Sequence, residues 1–151
     1  MKRCFSIIAV SLIVLLVNEF PFGIALANQE RENDETGLSL KVLIGEFRSA
    51  KGDLRIELSN ETGEVLANEI HPVTGNTVTV QFNSLTPGSA AVRLFHDENK
   101  NGKLDTNFFG IPTEGYGFSN NPRSRFGEPP QEDRLFELRA DTTISVKLIY
   151  W

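Results

Sequence analysis

Cysteine is nearly missing from this chain, and its single copy, Cys4, lies next to the N-terminus. No intrachain disulfide can form, and no thiolate cluster can hold zinc or an iron–sulfur centre. Only two histidines are present, His71 and His96, with no cysteine near either, so a zinc signature is absent too. Positive charge is in deficit: 20 acids face 15 bases, for a net charge of −5. That balance argues against nucleic acid and anionic membranes as partners. Long apolar runs are missing outside the first residues. Beyond residue 36 no stretch carries a helical period.

What is present begins with a targeting segment. Lys2 and Arg3 precede the apolar run Phe5 to Val17, and Ala25-Leu26-Ala27 supplies a small-x-small cleavage site. The run stops at Asn18-Glu19, short of the ~20 residues that span a bilayer. The expectation is a signal peptide over residues 1–27, a flexible polar leader over 28–36 and one domain over 37–151. It follows that the product is exported, periplasmic or extracellular, with no integral membrane span after cleavage. A secreted domain without disulfides holds together by core packing, by bound metal, or by both.

Period-two alternation predicts strands at Leu38–Ile44, Leu54–Leu58, Val78–Phe82, Ala90–Leu94 and Ile144–Tyr150. Val65–Ile70 and Leu135–Leu138 carry less signal. Turn residues separate them at Lys51-Gly52-Asp53, Asn60 to Gly63, Gly75-Asn76 and Pro87-Gly88. About seven short strands predict an all-β fold, an antiparallel two-sheet sandwich, with a small barrel as the alternative. Asp97 to Asp133 breaks the rhythm and is rich in Asn, Gly and Pro. It carries Phe108, Phe109, Tyr116, Phe118 and Phe126, whereas disordered segments are poor in aromatics. An ordered loop before the last two strands is expected, with those rings buried as anchors.

The start of this loop spaces oxygen side chains two apart, at Asp97, Asn99 and Asn101, and follows them with Gly102. A flexible loop wraps Ca²⁺ in this way, with Lys103 offering its backbone carbonyl and Asp105 a further carboxylate. Phe108 stands where an EF-hand needs its bidentate Glu, and strands rather than helices flank the loop. Asp105, Asn107 or Glu114 would have to supply the missing oxygen. The same residues equally build consecutive Asx-turns without metal. Few carboxylates imply weak affinity, with a Kd of about 10⁻⁴ to 10⁻³ M.

His96 is in phase with the inward residues of its strand and reads as a hydrogen-bonded structural histidine, while His71, before Pro72, reads as a loop residue. Ser119 lacks the second glycine of a nucleophile elbow. Glu98, Asp105 and Glu114 could pair as the carboxylates of an envelope hydrolase. Tyr116, Phe118 and Arg123 offer a recognition surface for a protein or glycan partner, and Arg123 and Arg125 flank a turn where they could bind an anion or a partner's acidic patch. A non-catalytic exported module, a hydrolase and a purely structural domain are the three functional readings.

The run His96 to Asn107, its continuation Gly110 to Asn121, the upstream Phe82-Asn83-Ser84-Leu85-Thr86-Pro87-Gly88 and the closing strand ending at Tyr150 resemble an exported bacterial family. It is catalogued as domain of unknown function 2141. The likeness runs from about Leu38 to Tyr150. Ser89-Ala90-Ala91 lacks the aromatic that the family tends to carry after its Pro-Gly turn. The resemblance implies export and a prealbumin-like or carboxypeptidase-regulatory-like sandwich, and no known activity.

Overall fold

The computed structural model describes residues 37–124 and 127–151. The expected signal peptide and leader, with Arg125 and Phe126, lie outside the described residues. Alternation decides the architecture. In β1 (Leu38–Gly45), Leu40, Val42 and Ile44 are buried, and in β2 (Asp53–Asn60) so are Leu54, Ile56 and Leu58. β3 (Val65–Pro72), β4 (Thr77–Leu85) and β5 (Gly88–Asp97) follow. Then come β6 (Gly115–Phe118), the single turn α1 (Gln131–Arg134), β7 (Phe136–Leu138) and β8 (Thr142–Lys147).

The strands form two open sheets, β4-β1-β8 and β3-β2-β5-β6, with β7 also paired to β5. Their apolar faces share one core, in which Val42, Val80 and Val146 of the first sheet join Ile56, Val92 and Leu94 of the second. Pairing is antiparallel except for β1 with β8, which run parallel. The expected all-antiparallel pattern therefore fails at one edge, because β8 returns through a long crossover instead of a hairpin. His71, expected in a loop, lies in β3, where its ring contacts Glu69 Oε2 at 2.7 Å.

The interval expected as loop holds two further elements. α1 was not anticipated, since one turn after Pro129-Pro130 shows no period. β6 was missed because its inward residues are Gly115 and Gly117, opposite His96 and Leu94. A Cβ on Gly115 would lie 2.3 Å from Tyr150 Cζ, and one on Gly117 2.8 Å from Val146 Cγ1. The strand is glycine inside because β8 and Tyr150 press against it, so no apolar alternation marks it.

The ring anchors divide. Phe118 is buried and Tyr116 half-buried, whereas Phe108 and Phe109 are 97% and 82% exposed. The expectation of burial fails for these two because residues 107–111 close a tight turn that leaves its tip in solvent.

Candidate functional site

The β2–β5 register sends Leu54, Ile56, Leu94 and His96 inward, and Asp53, Arg55, Glu57, Arg93, Phe95 and Asp97 outward. Arg93 and Glu57 are directly opposed and pair at 2.7 Å. Arg55 reaches diagonally to Asp97, Nε to Oδ2, at 2.7 Å. Asp97 is fully buried. Its Oδ1 accepts the Asn101 N–H at 2.9 Å, and Oδ2 accepts the Gly102 N–H at 2.8 Å. Burial pushes this carboxyl up, but the Arg55 guanidinium and the two amides outweigh it, so Asp97 titrates below the usual carboxylate range.

A second buried carboxylate closes the loop from its other side. Glu114 Oε1 accepts the Glu98 N–H at 2.8 Å, and Oε2 accepts the Asp105 N–H at 3.0 Å. Asp97 and Glu114 together hold four backbone amides of residues 98–105. Outside them, Asn99 Oδ1 accepts the Asn101 N–H, and Asn101 Oδ1 accepts the Lys103 N–H, as Asx-turns do. The side-chain amides of Asn99 and Asn101 both donate to Asp105, at 2.6 and 3.0 Å.

Asn99, Asn101 and Asp105 are thus brought together, while Asp97 pairs with Arg55 on the outer face of the sheet. The Asn groups turned to Asp105 are N–H₂ groups, and a cation there would have to displace them. Among the described residues, no three His, Cys, Asp or Glu side chains are grouped to hold a metal ion. Of the carboxylates considered for hydrolysis, Glu114 has both oxygens on amides, Glu98 pairs with Arg48, and Asp105 takes the Asn amides.

Arg48 also donates to the Thr113 carbonyl and stacks 4.6 Å over the Tyr150 ring. Tyr150 donates to His96 Nδ1 at 2.8 Å, and His96 Nε2 donates to the Lys51 carbonyl at 2.6 Å. His96 is fully buried and has both ring nitrogens engaged, the structural role its phase predicts. Burial, with Glu98 and Glu114 nearby, raises the Tyr150 phenol above its usual range against the opposing pull of the Arg48 amide and guanidinium.

Outward from β6, Tyr116 and Phe118 floor a set of adjoining clefts. One of about 400 Å³ runs over Arg55, Glu57 and Arg93 to Lys103 and Leu104. Another of about 620 Å³ lies between residues 104–112 and Glu128, with Trp151 at its side. A third of about 580 Å³ brings Arg123 to Tyr116, Phe118 and Trp151. The Trp151 indole N–H donates to the Tyr116 hydroxyl at 2.8 Å. The three expected recognition residues therefore line one continuous groove, with Phe118 as buried floor and Arg123 exposed. Trp151, Arg55 and Glu128 escaped sequence reasoning. Only the outward phase of Arg55 in β2 could have signalled one of them.

Residues 42–146 match the family described as an uncharacterised protein conserved in bacteria, DUF2141. The chain belongs to that family. No curated protein and no solved structure matches it. The stretch Gly117-Phe118-Ser119-Asn120-Asn121 of this DUF2141 chain now has a physical explanation. Between the ends of β6 and β7, Val92 would lack partners. Ser119 N–H donates to its carbonyl at 2.9 Å and Ser119 Oγ accepts its N–H at 2.9 Å. Asn120 donates to the Leu135 carbonyl after α1 at 2.7 Å. Asn121 donates to the Ser145 carbonyl and accepts the Lys147 N–H, as a neighbouring strand would. Ser119 is a buried stitch, and the segment ties the second sheet to β8 of the first.

Proposed function

We propose that this DUF2141 chain is an exported, non-catalytic β-sandwich of the prealbumin or carboxypeptidase-regulatory kind that recognises a protein or glycan partner through its outer groove. The observation that carries this is the convergence of Tyr116, Phe118, Arg123 and Trp151 on one open cleft. Aromatic faces beside an exposed guanidinium are the side chains that supply binding energy at recognition surfaces. The test uses immobilised wild type, Tyr116→Ser and Arg123→Glu, with Glu61→Gln in an exposed turn as control, against envelope fractions and a glycan array. Retention by wild type and the control, lost in both groove variants, is expected. Equal retention by all four, or by none, overturns the proposal.

A second reading, Ca²⁺ binding in the 97–105 loop, is favoured by the meeting of Asn99, Asn101 and Asp105. Asp97 would contribute from within and Lys103 by its carbonyl, with the two Asn amides turned over. A Kd near 0.1 mM would add about 2.7 kcal/mol at 10 mM Ca²⁺. Thermal melts with Ca²⁺, Mg²⁺ and chelator test it, and coincident curves exclude it.

A further inference from the structure

We propose that the finger Asp105–Thr113 docks on the surface of a phospholipid bilayer. The tip of the finger lies in solvent beside the groove, and the inference goes beyond the groove reading. Its backbone closes on itself. Asn107 N–H donates to the Ile111 carbonyl at 2.8 Å, Gly110 N–H to the Asn107 carbonyl at 2.9 Å, and Thr113 N–H to the Asp105 carbonyl at 2.8 Å. Asn107 Oδ1 takes the N–H groups of Phe109 and Ile111 at 2.9 and 3.1 Å. The turn therefore presents its tip with most amides already satisfied, as entry into an apolar medium demands.

That tip is Phe108, Phe109 and Ile111, exposed by 97%, 82% and 41%. The two rings meet edge to face at 5.5 Å, so they stand as one apolar wedge. From Thr106 to Thr113 there is no charged residue, in a chain that is 23% charged. The flanking carboxylates do not spoil this: Asp105 faces the Asn99 and Asn101 amides, and Glu114 is buried. Protein hot spots favour Trp, Tyr and Arg within a polar rim, whereas an uncharged phenylalanine wedge with most of its amides satisfied fits the bilayer interface.

The surroundings fit the interface above the hydrocarbon. Trp151, 68% exposed, shares a cleft with Phe109 and Ile111. An indole with one apolar and one polar edge prefers headgroup depth. The same groove continues to Arg123 on one side and Lys103 on the other. Among the described residues neither cation pairs with a carboxylate, so both are available to lipid phosphates. The net charge of −5 opposes long-range attraction to anionic membranes. Apolar contact is therefore the driving force, and zwitterionic vesicles suffice.

Trp151 is the one tryptophan of the chain, so its emission reports this site alone. The test titrates the full chain with phosphatidylcholine vesicles, with and without brominated acyl chains. Wild type is compared with the double variants Phe108→Ser/Phe109→Ser and Phe108→Leu/Phe109→Leu. Wild type should shift to the blue and be quenched by bromine. Partitioning should fall by about tenfold or more in the serine variant and stay within about threefold in the leucine variant. No response of wild-type Trp151 to lipid overturns the proposal. So does equal partitioning of wild type and serine variant, which assigns lipid contact to another segment, such as the N-terminal apolar run. A finger that contacts a lipid-free protein fraction and ignores vesicles likewise overturns it.

Discussion

Asp97 shows how much one side chain fixes here. Its carboxylate is fully buried and joins Arg55 to two loop amides. Asp97→Ala should cost about 2–4 kcal/mol, since it strands two N–H groups and the Arg55 charge. Denaturant unfolding at neutral pH measures it. Its folded pKa lies below the unfolded value, so the stability is fully present above about pH 4 and is lost as pH falls through the depressed value. Wild type should therefore lose stability below about pH 4 more steeply than Asp97→Ala. Parallel acid profiles would show that the group does not titrate as described. Ser119→Ala should cost about 1–3 kcal/mol, because a buried Val92 N–H loses its acceptor. The spacing offers Asp97 to a metal cation, and in the fold its carboxylate pairs with the Arg55 guanidinium. Local spacing cannot tell a metal loop from Asx-turns, and Arg55 comes into reach only through a register 42 residues away.

The elements were legible where one face is apolar and the other polar. Leu40-Lys41-Val42 and Val78-Thr79-Val80 declare their strands, because sheet packing needs that alternation. Gly115-Tyr116-Gly117-Phe118 does not, because its inner face had to stay empty for Tyr150 and Val146. Gly115→Ala should overpack against the Tyr150 ring and cost about 1–3 kcal/mol, read from a urea midpoint. Phe118→Ala should cost about 3 kcal/mol for loss of a buried ring. Phe108→Ser/Phe109→Ser should leave stability within about 0.5 kcal/mol of wild type, since both rings face solvent. A large loss in that double variant would mean the finger packs against the domain.

For the whole molecule, two sheets supply a rigid base and the interval between β5 and β7 supplies the surface. That surface is ordered from within, by Asp97 and Glu114 on the 98–105 amides and by Ser119, Asn120 and Asn121 between the sheets. A groove and finger ordered in advance would lose little freedom on binding, as the proposed recognition requires. Period-two alternation foresaw an all-β domain of two sheets around one core. Composition could not foresee that the apolar side chains of one loop would face outward, because a type count carries no direction. The most direct measurement is amide hydrogen exchange at Glu98, Asn101, Gly102 and Asp105 in the presence of a chelator. The account predicts that these four exchange about tenfold or more slowly than in an unstructured peptide, with no metal added. Exchange at peptide rates in chelator, slowed only on addition of Ca²⁺, would contradict it.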